Sequence, residues 1–139
     1  MVLKKLLSKS FLSSILLVLI LLLSISKNYV WLPFRTGTRE MIIQEYNFLS
    51  TTTLGYGVYF PLIVFIVTMG LLFLSISKFF IPPTKRKSDF FMILTVIDIV
   101  FVIFPVLLGM QIFNTGIACM LALLICNLIL SLYHKNEKM

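Results

Sequence analysis

Asp98 is the only acid inside any of the long apolar blocks of this chain, and a carboxylate in such surroundings is the first side chain from which to expect chemistry. A charge taken out of water needs a polar partner, and depth along a helix narrows the candidates. At 1.5 Å per residue, Asp98 lies ~12 Å in from Phe90, while Asn127 on the following block lies ~9 Å in from Tyr133. Thr68 reaches a similar depth in the block before. Thr68, Asp98 and Asn127 are therefore expected to share one hydrogen-bonded layer across three helices. Such a layer could hold a proton or small cation, or simply join the helices. Joining is favoured, because a relay wants a second acid, a His or a Lys beside the first.

Other chemistry lacks its residues. Hydrolysis within a membrane uses a Ser/His pair, two Asp or a metal, whereas here the hydroxyls have no base beside them, so no enzyme, no catalytic residue and no cofactor is expected. His134 is the only histidine and has no cysteine or carboxylate spaced for a metal, so no metal site is expected either. Cys119 and Cys126 lie two turns apart on one helix face, beyond the ~5.5 Å a disulfide wants, and read as small packing residues.

The elements that must position these residues are four apolar blocks, 11–26, 58–77, 90–110 and 113–133. Each is near the ~20 residues a helix needs to cross ~30 Å of hydrocarbon. The expected fold is all-α: a single membrane domain over residues 1–139, with four transmembrane helices, an outer loop at 27–57 and a basic loop at 78–89. Nine of the twelve basic residues, among them Lys4, Lys9, Lys78, Arg86 and Lys138, fall on the side holding both termini, and only Lys27, Arg35 and Arg39 on the other. The positive-inside bias then puts both termini in the cytoplasm of a multi-pass cell-membrane protein. The net charge of +7 is explained by anionic headgroups of the bilayer, without a nucleic-acid partner.

The first block has the basic, apolar and small-residue zones of a cleavable leader. Ser24-Ile25-Ser26 is a weak version of the small-residue site, and the block is expected to be an uncleaved span. Leu23-Ser24-Ile25-Ser26-Lys27 recurs as Leu74-Ser75-Ile76-Ser77-Lys78, which reads as a shared way of ending a helix.

The outer loop is the least generic segment. Tyr29 and Trp31 suit the membrane interface. Pro33 and Gly37 bracket a turn, after which Thr38-Arg39-Glu40 is expected to cap a short surface helix running through Gln44 to about Leu49. Trp31, Arg35, Arg39 and Phe48 are its candidate contact residues for a membrane-protein partner or a second copy.

The loop ends in Thr51-Thr52-Thr53-Leu54-Gly55-Tyr56-Gly57-Val58-Tyr59-Phe60-Pro61, which resembles the selectivity filter of potassium channels. The resemblance implies that Thr53, Leu54, Gly55, Tyr56 and Gly57 would coordinate K⁺ through backbone carbonyls in a homotetramer. Val58 stands where that family commonly has Asp, and Leu54 where it has Val or Ile; a Gly-rich turn is the alternative reading. In size, charge and Lys/Ile/Phe bias the chain is similar to small basic multi-span proteins of low-GC Gram-positive bacteria, among them immunity proteins and transporter subunits. The expectation is a non-enzymatic accessory or immunity-type protein acting by contact in the membrane. A potassium channel, or a small transporter subunit using the layer around Asp98, are the alternatives.

Overall fold

The structure, a computed structural model, describes residues 2–37, 39–81 and 84–137. The chain runs α1 (Val2–Ser26), β1 (Val30–Arg35), β2 (Met41–Tyr46), the single turn α2 (Thr52–Gly55), α3 (Phe60–Phe80), α4 (Lys85–Leu107) and α5 (Thr115–Glu137). Four helices are long and apolar enough to cross a membrane, at Ser8–Ser26, Phe60–Phe80, Lys85–Leu107 and Thr115–Tyr133. They pack as a closed ring, α1 on α3, α3 on α4, α4 on α5 and α5 on α1.

Local signals set the helix ends. Thr84 caps α4 by accepting from the Lys87 N–H at 3.4 Å, so Lys85, Arg86 and Lys87 form its first turn and the expected basic loop at 78–89 shrinks to a short connection. At the far end Pro105 lies only two residues before the last residue of α4, its carbonyl accepts from the Met110 and Gln111 N–H groups, and Gly109 at φ 70° closes the turn. Any bend from Pro105 therefore shapes the end of the helix and not its middle. Pro61 sits in the first turn of α3, where its missing N–H costs nothing. Asn114 opens α5, its Oδ1 accepting from the Ile117 N–H at 3.0 Å.

The distribution of side chains is that of a membrane bundle. Phe73 and Phe80 point outward at 74% and 83% exposure, while Ser13, Thr68, Ser75, Thr95, Asp98 and Asn127 are buried between the helices. Large apolar groups outside and hydroxyls inside suit hydrocarbon, where helices gain little from apolar contact and more from close packing and hydrogen bonds. This is a small multi-pass helical membrane protein.

The outer loop corrects the all-α expectation. β1 and β2 form an antiparallel hairpin in the register Val30↔Tyr46 to Arg35↔Met41, so the segment expected as a surface helix is largely a strand. Thr38, its expected cap, and Lys138 lie outside the described residues. The reason is pairing. An isolated helix of about ten residues is marginal in water, whereas Met41–Tyr46 satisfies its backbone against Val30–Arg35, which buries Val30 and Leu32 in the core. Thr36 closes the turn through its N–H and Oγ1 to the Glu40 carbonyl, with Arg39 at φ 64°.

The hairpin is fixed to the bundle at several points. The Trp31 carbonyl accepts from the Ile112 N–H at 2.9 Å, the Tyr29 carbonyl from Asn114 Nδ2 at 2.6 Å, and the Ser24 carbonyl from the Phe48 N–H at 3.2 Å. Gly116 is required here: a Cβ at that position would overlap the Tyr29 ring.

Candidate functional site

Two places in this fold have the geometry of a site: the polar interior and the outer edge of the hairpin. In the interior, Thr68 Oγ1 lies 2.6 Å from Asp98 Oδ2 and 2.8 Å from the Val64 carbonyl, so one hydroxyl proton has two acceptors in reach. Asp98 is 0% exposed, and its Oδ1 has no hydrogen-bond partner. Asn127, also 0% exposed, accepts at Oδ1 from the Ser13 hydroxyl, which leaves its Nδ2 without a partner.

Two direct hydrogen bonds involve the three residues of the expected layer. Thr68–Asp98 ties α3 to α4, and Ser13–Asn127 ties α1 to α5. A third joins α1 to α3, where Ser14 and Ser75 hydroxyls meet at 2.8 Å and both approach the Ser10 carbonyl. The serines of α1 and α3 carry no charge that marks them in the sequence. Their signal was periodicity, visible most clearly in α4, where Ser88, Phe91, Thr95, Asp98, Val102 and Pro105 alternate in steps of three and four and are all buried.

At the basic end, Lys9 Nζ sits 4.2 Å from the centre of the Tyr133 ring and Lys78 Nζ 3.8 Å from that of Phe91. Lysines over aromatic faces here join α1 to α5 and α3 to α4.

The Gly-Tyr-Gly segment is a closed turn. The Thr51 carbonyl accepts from the Leu54 N–H, that of Thr53 from Tyr56 and Val58, and that of Leu54 from Gly57, all at 3.0–3.1 Å. Of the residues that the potassium-channel resemblance singles out, Thr53 and Leu54 thus have their carbonyls turned into the chain's own N–H groups. Gly57 is needed for another reason, its φ of 75°. Tyr56 meets Phe34 edge-on with ring centres 4.7 Å apart and Tyr46 at 6.5 Å, supporting the inner face of the hairpin.

The candidate contact residues separate. Phe48 is only 2% exposed and packs inward, which corrects its assignment as a contact residue. Trp31 is half-buried, with its Nε1 donating to the Asn28 carbonyl at 2.9 Å. Arg35 and Arg39 are exposed at the hairpin turn, and Met41, Ile42 and Ile43 are exposed along β2.

No family model matches the chain, and no curated protein or solved structure matches it either. Among the described residues, no three His, Cys, Asp or Glu lie close enough to hold a metal ion.

Proposed function

We propose that this chain is a non-enzymatic accessory protein of the bacterial cell membrane, immunity-type in its mode of action, which works by offering the free edge of β2 to a partner outside the membrane. The observation that carries this reading is the direction of the β2 backbone. Antiparallel pairs alternate between bonded and non-bonded. Thr36 and Glu40 form a bonded pair, and the Trp31 carbonyl turns away from β2 to Ile112. By that alternation Ile42, Gln44 and Tyr46 bond to β1, while the N–H and C=O groups of Met41, Ile43 and Glu45 point to the open side.

Open edges are usually blunted by Lys, Pro or a bulge. This one carries Met41, Ile42 and Ile43 and is held on a rigid mount by Tyr29, Trp31 and Asn114. Such an edge suits an extended peptide that adds a third strand. The charge asymmetry supports an outward-facing hairpin and cytoplasmic termini.

A photo-crosslinking side chain at Glu45, used in membranes of the native host, tests the reading. A discrete protein or peptide adduct at Glu45, lost on Ile43→Pro and absent at lipid-facing Phe73, is expected. Ile43→Pro removes only an outward N–H and leaves the hairpin ladder whole. The reading fails if Glu45 gives no adduct, or one that Ile43→Pro leaves unchanged.

A further inference from the structure

Four observations in the bundle interior converge, independently of the hairpin. First, a cavity of about 20 Å³ lies at the basic end between all four helices, lined by Lys9, Ser10, Ser13, Lys78, Phe91 and Ser131. That is room for one water, which needs two to four polar partners, and the serines supply them. Second, Ser13 links this cavity directly to Asn127. Third, the acceptor Asp98 Oδ1 and the donor Asn127 Nδ2 are each buried and without a hydrogen-bond partner.

Helix rise relates their heights. Asp98 stands about 10 Å above Phe91 on α4, and Asn127 about 6 Å above Ser131 on α5, so they differ by about 4 Å along the axis. The two groups are complementary, Asn127 Nδ2 a donor and Asp98 Oδ1 an acceptor, and one water held between them would satisfy both. Fourth, the first buried residues beyond Asp98 toward the hairpin, Leu17, Ile20, Val64, Val102, Ile117 and Met120, form an apolar plug, and the buried polar side chains on that side, Ser24, Thr53, Gln111 and Asn114, lie beyond it at the hairpin end.

We propose that the bundle contains a one-sided water path, opening at the basic end through the serine-lined cavity and ending at a water bound between Asn127 and Asp98. Its ligand is water, together with the proton that water can carry. The plug keeps Asp98 out of contact with the hairpin side, so the path is a half-channel and does not conduct across the membrane by itself.

Side-resolved cysteine labelling tests it, in a chain carrying Cys119→Ala and Cys126→Ala, whose native thiols are exposed on the bundle surface. Sealed proteoliposomes of one orientation receive a small methanethiosulfonate-ethylammonium reagent from either side, and modification is read by intact mass. Ser131→Cys and Ser13→Cys should react from the basic end at least ten times faster than from the hairpin end, while Val64→Cys reacts from neither. Equal or absent labelling at Ser131→Cys and Ser13→Cys, or labelling of Val64→Cys from the hairpin side, overturns the path. The native chain gives a second readout free of folding artefacts: in nanodiscs the Asn127 side-chain amide should show a magnetisation-transfer peak to water. An assigned Asn127 amide without that peak overturns the bound water.

Discussion

Thr68 has one proton and Asp98 two oxygens, and this imbalance makes the pair sensitive to small changes. Thr68→Val would remove the one protein hydrogen bond to the Asp98 carboxyl among the described residues and should destabilise the bundle by about 1–3 kcal/mol, whereas Thr68→Ser should be close to neutral. Denaturation in detergent, followed by circular dichroism, separates the two outcomes. Gly116→Ala drives a methyl into the Tyr29 ring and should cost about 1–3 kcal/mol of overpacking, or else displace the hairpin. Trp31 is the only tryptophan, so its emission reports that displacement directly. Asp98 and Thr68 were legible as a pair in the sequence, because an acid among apolar residues demands a partner at its own depth. Asn127 was legible as buried, but its hydrogen bond to Ser13 was not: counting along two helices fixes height to within a turn, but not which of two facing helices a side chain meets. Ser13, which donates to Asn127 Oδ1, carries no charge to draw notice.

The hairpin shows what element-level reading misses. Met41, Ile42, Glu45 and Phe48 fit a helical spacing about as well as an alternating one, and the strand that decides between them, Val30–Arg35, contains Pro33 and reads alone as a turn. Pro33 fits because its ring faces away from β2, opposite Ile43 in a non-bonded pair. The same alternation makes a prediction. Gln44→Pro breaks a ladder bond to Leu32 and should unseat the hairpin, seen as a red shift of Trp31 emission, whereas Ile43→Pro should leave the emission unchanged. Equal effects would show that the pairing has another register. The Gly-Tyr-Gly turn teaches a related lesson: a short glycine motif specifies backbone angles, and those angles serve a closed turn at α2 as readily as an ion filter. Here Phe34 and Tyr46 pack on Tyr56.

For the whole molecule, the spans followed from length and hydropathy, and their boundaries moved by a few residues wherever a cap or a glycine set the end. Thr84 drew α4 back over the basic triplet, and Gly57 delayed α3 to Phe60. Ring order and antiparallel packing place Lys9, Lys78 and the end of α5 together at one end, and the hairpin at the other. Both functional proposals depend on those ends lying on opposite sides of a membrane. Gly37 at the hairpin tip has open space around its Cβ, and Asn136 is exposed near the end of α5. The most direct measurement is labelling of Gly37→Cys and Asn136→Cys by a membrane-impermeant maleimide in cells, with Cys119 and Cys126 replaced by Ala. Gly37→Cys should react in intact cells and Asn136→Cys only after lysis. Reaction of both from outside, or the reverse pattern, would contradict an outward hairpin on a bundle with cytoplasmic termini.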